Sequence, residues 1–177
     1  MIHTHQTAPT QFVEANRIRF AYRRFGKASV VPLVFNMHFT GTMDHWDPLV
    51  TDGLAATREV ILFDNAGISS SSGEVPTTVE GMAADAAAFI KALGLKQLDL
   101  LGFSIGGTVT QALTLAEPQL VRRLVLVGTG PRGGEGMATL TPEAQRIFGA
   151  SYPSRTCCGS TCTSTPPRPA RPPVPRS

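Results

Sequence analysis

Hydrophobic positions recur along this chain with two different periods, and the alternation between them predicts strands interleaved with helices. Ile18, Phe20 and Tyr22 alternate with smaller or more polar residues, the period of two expected of a half-exposed strand. Together with residues 11–15 and a turn at 16–17, this pattern predicts an antiparallel hairpin at a sheet edge. Shorter and nearly unbroken apolar runs predict strands that are buried on both faces. These runs cover residues 30–35, 59–63, 98–103 and 121–127.

Helical spacing of apolar residues fills the segments between these runs. Asp44 is the expected N-cap of one helix, and Thr77 with Glu80 forms a Thr-x-x-Glu capping box for another. Gly94 is expected to end that second helix. Strands that alternate with helices in this way predict an α/β fold, with a mostly parallel sheet and flanking helices. The expected helices cover residues 44–57, 78–93, 105–117 and 141–149.

The apolar run over residues 98–103 ends in Gly102-x-Ser104-x-Gly106, and a helix-compatible segment follows. This order is typical of a nucleophile elbow, in which a serine lies at the apex of a tight strand-to-helix turn. A Cβ at either glycine would collide with the neighbouring strand or helix. The N–H of Ile105, at the helix start, would point to where an oxyanion forms. The alternative is a glycine-rich turn with an idle serine, which the flanking strand and helix disfavour.

With this element in place, residues 11–150 resemble the α/β-hydrolase superfamily, in its branch of single-domain esterases and haloperoxidase-like perhydrolases. The similar landmarks occur in the order that the family has. They are Phe39-Thr40-Gly41, Trp46-Asp47-Pro48, the loop over residues 64–71, the elbow at Gly102 to Gly107, and the strand over residues 121–127.

The resemblance implies a serine hydrolase of small ester or other acyl compounds, or a peracid-forming variant, that uses no cofactor and no metal. Ser104 would be the nucleophile, and the backbone N–H groups of Phe39 and Ile105 would hold the oxyanion. The expected partner is a small-molecule substrate, and neither nucleic acid nor a membrane.

Three departures from the family pattern matter. Ala66 and Ser69 replace the usual Arg and Gly of the loop over residues 64–71. Met37-His38 stands where the family usually has His-Gly. The family also places its acid and its histidine downstream of the serine, yet no histidine follows His45 and no acidic residue follows Glu143. We therefore expect this chain to be inactive as a hydrolase, which leaves a non-catalytic fragment as the alternative function.

Residues upstream of the serine are poor substitutes for the missing groups. His38 would sit beside the carbonyl oxygen rather than behind the serine, and His45 is expected on a helix surface. Asp64 is expected to anchor its loop rather than to act as the catalytic acid. Gly128 to Gly133 matches Gly-x-Gly-x-x-Gly, but Pro131 opposes a helix there and the turn is not the first βα turn, so we reject dinucleotide binding.

The composition changes abruptly at residue 151. Seven of the 14 prolines lie in residues 151–177, and no Leu, Ile, Met or Phe follows Phe148. Such a segment predicts disorder with polyproline II character. Our hypothesis is that it is read out of frame, so that residues 1–150 form a partial hydrolase domain. The resemblance implies two further parallel strands beyond residues 121–127, without which that strand is an edge through which we expect self-association.

The tail also explains the charge and carries its own candidate motifs. It holds four arginines and no acid, so the net charge of +3 leaves the rest of the chain at −1 and gives no reason to propose nucleic-acid binding. Residues 166–171 match Pro-x-x-Pro-x-Arg, which makes a partner-binding adaptor an alternative function. The 3 cysteines lack a fourth ligand for zinc. They are Cys157, Cys158 and Cys162.

The remaining expectations concern location and the amino terminus. A cysteine-free domain fits a reducing cytosol, and neither a signal peptide nor an apolar run of about 18 residues is evident, so a cytoplasmic protein is expected. Residues 1–10 are polar and are expected to be frayed. A weak metal site at His3 and His5 is the alternative for that segment.

Overall fold

A six-stranded sheet forms the centre of the chain. The computed structural model describes residues 3–38, 40–134, 139, 141–143 and 146. The strands are β1 (Gln11–Ala15), β2 (Ile18–Gly26), β3 (Leu33–Asn36), β4 (Glu59–Phe63), β5 (Leu98–Phe103) and β6 (Val121–Val127). The α-helices whose bounds lie within the described residues are α1 (Pro48–Ala55), α2 (Val79–Ala92) and α3 (Ile105–Ala116), and a 3₁₀ turn covers Met43–His45.

The strands lie in the order β1-β2-β4-β3-β5-β6. β1 pairs antiparallel with β2, and β2 antiparallel with β4, so the hairpin lies at one side of the sheet. β4, β3, β5 and β6 run parallel to one another. Because parallel neighbours need long crossovers, the helices lie in the connections between these strands. The predicted edge hairpin and mostly parallel sheet are confirmed.

Apolar side chains cover both faces of the sheet centre. Val34 of β3 packs in the core that α2 and α3 cover, while Leu33 and Phe35 pack on the other side with α1. This alternation along one strand is what burial on both faces requires. On the α2 side, the rings of Phe63 and Phe89 stack with centroids 4.4 Å apart.

α1 begins later than its sequence pattern predicts. Its first residue is Pro48, and its N-cap is Asp47, whose carboxylate accepts a hydrogen bond from the Leu49 N–H at 2.8 Å. Asp44, the predicted cap, lies in the 3₁₀ turn instead. Proline suits the first helical position because its φ is already helical and it needs no acceptor there.

α2 is capped by a different threonine from the one predicted. Thr78 accepts a hydrogen bond from the Gly81 N–H at 3.1 Å, so the expected box of Thr77 and Glu80 does not form. Adjacent threonines carry the same hydroxyl, and the sequence alone did not select between them. The predicted end of the helix near Gly94 is confirmed, because Gly94 has a φ of 72° just past its last turn.

Two of the predicted buried strands differ from expectation. β3 begins at Leu33, and Val30 is 98% exposed. Pro32 has no N–H to donate to a ladder, which accounts for the later start. β6 is the last strand of the sheet among the described residues, and Val125, Leu126 and Val127 are 44%, 45% and 43% exposed. The prediction of a strand buried on both faces was therefore wrong for β6, and its prediction as an edge is met within the described residues only.

The amino-terminal segment is ordered rather than frayed. The His5 side chain is 2% exposed, and its ring lies stacked with Phe25, with centroids 6.0 Å apart. Its Nδ1 shares a 2.9 Å hydrogen bond with the Thr51 hydroxyl, and its backbone N–H donates to Asp52 at 2.7 Å. Burial lowers the pKa of His5. For the described residues 3–10 the prediction of fraying was wrong, because partners more than 40 residues away hold His5.

The chain divides into two units, residues 1–137 and residues 138–177. All of the strands and α-helices named above belong to the first unit. In the second, the described residues Thr139, Thr141 to Glu143 and Arg146 are exposed. The predicted boundary at residue 150, the tail over residues 151–177 and its cysteines lie outside the described residues. No helix in the described part is both long and apolar enough to cross a bilayer.

Candidate active site

Ser104 occupies the sharp turn between β5 and α3. Its φ of 55° and ψ of −124° lie in a region that residues with a side chain rarely adopt. Two backbone hydrogen bonds of 2.9 Å hold it there: its N–H donates to the Val127 carbonyl, and its own carbonyl accepts from the Gly107 N–H. The predicted bend at the carboxyl end of a central parallel strand is confirmed.

The two glycines beside Ser104 allow strand, turn and helix to approach closely. A Cβ on Gly102 would lie 2.4 Å from Thr110 Oγ1 and 2.6 Å from the Gly107 Cα. A Cβ on Gly106 would lie 2.3 Å from the Asn36 carbonyl oxygen. Since real Cβ contacts are not this short, the predicted reason for both glycines, close packing against strand and helix, is confirmed.

The structure describes one of the two expected oxyanion donors, Ile105, but not the other. Ile105 is the first residue of α3. Its amide therefore has no acceptor four residues earlier within the helix and lies at the positive end of the helix dipole. Phe39 lies outside the described residues. The loop that carries it starts beside the elbow, because the Met37 carbonyl would lie 2.5 Å from a Cβ on Gly106.

A buried amide, Asn36, lies behind the elbow. It ends β3 opposite Gly102, it is 1% exposed, and neither polar atom of its side chain has a hydrogen-bond partner among the described residues. With Asn65 and Ile105 it lines a small pocket of about 20 Å³, room for roughly one water molecule. Sequence analysis did not identify Asn36, although a polar residue at the end of an apolar strand was the available signal.

Asp64 is an anchor for two loops next to this site. It is fully buried, and its carboxylate accepts hydrogen bonds from the Met43 N–H at 2.8 Å and the Ser70 N–H at 3.3 Å. The Ser71 hydroxyl donates to its backbone carbonyl at 2.7 Å. The expected loop-anchoring role is confirmed, and these amides occupy both carboxylate oxygens.

The two histidines nearest the elbow belong to an aromatic cluster, which we define as His38, His45, Trp46 and Phe103. The rings of His38 and His45 are stacked with centroids 6.2 Å apart, and His38 meets Phe103 edge-on at 5.8 Å. The His45 Nδ1 accepts a hydrogen bond from the Thr42 N–H at 3.1 Å. Neither imidazole is hydrogen-bonded to Ser104 among the described contacts, so the structure does not pair the serine with a base.

The opposite end of β5 carries an ion-pair network. Asp99 is 2% exposed and accepts hydrogen bonds from Arg122 at 2.9 and 2.8 Å and from Arg58 at 2.6 Å. The hydrogen bonds from Arg122, and then Arg58, lower the pKa of the Asp99 carboxyl against the opposing effect of its burial. Since it lies at the other end of the strand from Ser104, this network joins β5, β6 and the residue that precedes β4 rather than serving the site.

The structure therefore assembles part of the predicted site. Ser104 and the Ile105 amide lie together at the elbow, and the aromatic cluster includes Phe103, the residue before Ser104. Within the described residues, no group of three or more His, Cys, Asp or Glu side chains is placed to hold a metal ion. The arrangement places Ser104 beside the amide of Ile105, the first residue of a helix, which has no backbone acceptor within that helix.

Comparison with known proteins identifies relatives of this fold. A family model described as the alpha/beta hydrolase fold matches residues 31–156. A RutD protein of Azorhizobium caulinodans, named as a carbamate hydrolase, is 32% identical over 123 residues, which are 69% of this chain and 46% of that protein. BpoC of Mycobacterium tuberculosis, named as a non-heme bromoperoxidase, is 35% identical over 57% of this chain and 39% of its own length.

A solved structure agrees with these sequence matches. An alpha/beta hydrolase fold protein from Chitinophaga pinensis superimposes with a TM-score of 0.71 and 48% identity, covering 73% of this chain and 47% of that chain. The chain thus spans less than half the length of each of these three proteins. The residues matched by the family model, 31–156, contain the four parallel strands and the elbow.

Proposed function

The chain belongs to the alpha/beta hydrolase fold family, and we propose that it carries the nucleophile of a serine hydrolase for small ester or other acyl compounds. Ser104 attacks the carbonyl carbon, and the N–H groups of Ile105 and Phe39 stabilise the oxyanion. A relative named as a carbamate hydrolase supports this substrate class, since a carbamate presents the same kind of carbonyl to a nucleophile.

The observation that carries this proposal is the backbone of Ser104. A serine held at φ 55° and ψ −124° between two crowded glycines has an energetic cost of about 1–3 kcal/mol. Residues in such sparsely populated backbone regions cluster at active sites. An idle serine in a turn would not need this backbone conformation at the N-terminus of a helix.

We further propose that the 177-residue chain does not complete a catalytic cycle by itself. A serine nucleophile needs a base to take its proton and an acid to orient that base. The sequence has no histidine after His45, and the described contacts of the two histidines near the elbow include no hydrogen bond to Ser104. Loss of one triad member typically costs about four orders of magnitude in rate.

The proton-transfer groups would lie beyond residue 150, in another reading frame of the gene. This account explains why the composition changes at the point where the family's downstream residues are expected. Translation of the other two frames is its test. An apolar stretch that contains a histidine supports the frame change, and its absence from both frames contradicts it.

Replacing the Ser104 hydroxyl by a thiol tests whether this position acts as a nucleophile, because a thiol does not depend on a catalytic base. In a background with Cys157, Cys158 and Cys162 replaced by Ser, we compare Ser104→Cys with Ser70→Cys, a change at an exposed loop serine. A thiol is acylated without a general base, and a helix N-terminus lowers its pKa. We expect p-nitrophenyl acetate to acylate Ser104→Cys at least about tenfold faster, with peptide mass spectrometry locating the acetyl group.

The outcomes separate the two parts of the proposal. Equal acylation of the two cysteine variants would refute the nucleophile assignment. Turnover by the unmodified chain at the rate of an ordinary esterase, lost in Ser104→Ala, would support the nucleophile and refute the inactivity. We expect instead that the unmodified chain and Ser104→Ala hydrolyse p-nitrophenyl acetate equally slowly.

A further inference from the structure

The outer edge of β6, the side that faces away from β5, has no strand beside it among the described residues. Its regular part pairs with β5 from Arg123, opposite Asp99, to Val127, opposite Phe103. A register irregularity precedes this part, between Leu98 and Asp99 of the partner strand. Edge strands of this kind are templates for pairing with another chain.

The direction of each backbone group follows from one hydrogen bond. The Val127 carbonyl accepts from the Ser104 N–H, so Val127 points its polar backbone groups inward. Strand geometry alternates with a period of two, which gives Val125 and Arg123 the same inward direction. Leu124 and Leu126 therefore present their N–H and C=O groups to the outer edge, where the described part of the sheet supplies no ladder partner.

The chain that follows β6 does not cover this edge where it is described. The Gln111 side chain of α3 donates a hydrogen bond to the Gly130 carbonyl at 3.1 Å, and the hydroxyls of Thr108 and Thr129 lie 3.4 Å apart. A Cβ on Gly107 would lie 2.4 Å from the Thr129 methyl group. Residues 129 and 130 thus pack on α3, and Val125, Leu126 and Val127 remain 43–45% exposed.

We propose that a second copy of this chain occupies this edge, with the two β6 strands antiparallel about a two-fold axis at Val125. A two-fold axis perpendicular to a continuous sheet places one residue opposite its own copy. With Val125 on the axis, Leu124 lies opposite Leu126 of the other copy. The outward groups of both residues then form four backbone hydrogen bonds, and the whole regular part of β6 is paired.

Electrostatic repulsion favours this register over the one that is centred on Arg123. A shift that put Arg123 on the axis would place two guanidinium groups directly opposite each other, which is unfavourable. In the proposed register Arg123 lies opposite Val127, and its aliphatic stem can cover that side chain. Arg122 does not repel a second copy at this edge, because its guanidinium is bound to Asp99 of its own chain. The arrangement closes after two copies, as an isologous contact must.

A cysteine on the axis tests both the contact and its register. With the three native cysteines replaced by Ser, Val125→Cys places two thiols opposite each other at a non-hydrogen-bonded pair, where Cα atoms are about 4.5 Å apart and a disulfide fits. The matched control is Leu115→Cys on α3, where the side chain is 85% exposed. We expect mild oxidation to convert Val125→Cys to a covalent dimer at least about tenfold faster than the control.

Sedimentation of the full chain supplies the second measurement. We expect a dimer that Val125→Lys weakens at least about tenfold, because two ammonium groups then meet at the axis, and that Leu115→Lys leaves unchanged. A monodisperse monomer at tens of micromolar would overturn the proposal. So would equal cross-linking of the two cysteine variants, or growth into long filaments, which requires an open-ended contact rather than a two-fold one.

Discussion

β5 and β6 are adjacent parallel strands of similar apolar character, yet they have opposite surroundings. β5 has neighbours on both sides and helices over both faces, and Leu98, Leu100 and Leu101 are at most 8% exposed. The last three residues of β6 are each more than 40% exposed. The comparison teaches that position in the sheet, rather than composition, decides how much a strand contributes to stability. The strained serine lies at the end of β5, the strand that is paired on both sides and buried.

The largest expected contrast concerns matched leucines on the two strands. Leu100→Ala removes a side chain that is 1% exposed, and we expect a loss of about 2–5 kcal/mol in the free energy of unfolding. Leu126→Ala removes one that is 45% exposed, and we expect a loss below about 1 kcal/mol. Urea unfolding of dilute, monomeric protein measures both. Equal losses would mean that β6 is covered in solution and would remove the contrast.

Local sequence patterns predicted most of the sheet, because the residues of each interior strand alone show an apolar run or an alternation of apolar and polar positions. The apolar runs gave β4 and β5, and the alternation at Ile18 to Tyr22 gave β2. The elbow was predictable because Gly102, Ser104 and Gly106 are adjacent in sequence, so their packing requirements are local. The exposure of β6 was not apparent from its residues alone, since an apolar run has the same pattern at the centre of a sheet and at its edge.

The features that sequence analysis missed depend on contacts between distant residues. His5 is ordered by partners at Thr51 and Asp52, which no pattern near the amino terminus indicates. Asp99 interrupts an apolar strand and is neutralised by Arg58 and Arg122 from two other strands' ends. A lone acid in a buried run was the available signal for that network, but its partners lie 41 and 23 residues away.

The next largest contrast concerns the polar link between the two strands. Asp99→Asn removes the charge that Arg58 and Arg122 both contact, and we expect a loss of about 1–2 kcal/mol, since Arg122 is partly exposed to water. Glu117→Gln is the matched control, because it breaks the exposed pair with Lys91 and should leave unfolding unchanged within error. Thermal unfolding of the two variants distinguishes them. An equal loss of stability in both variants would show that the Asp99 network contributes no more than the exposed ion pair.

The smallest effect is the dependence of the same link on pH. Because the folded state lowers the pKa of Asp99, the unfolded chain binds its proton first as the pH falls. The stabilisation is therefore fully present above the ordinary carboxyl pKa of about 3.9 and is lost as the pH falls through the lower, folded value. We expect the melting temperature to decline below about pH 4 less steeply in Asp99→Asn than in the unmodified chain. The effect is smaller than that of the substitution because a protonated carboxyl keeps acceptor capacity toward both guanidinium groups. Parallel declines in the two proteins would show that other carboxylates, and not the bridge between β5 and β6, govern the response to acid.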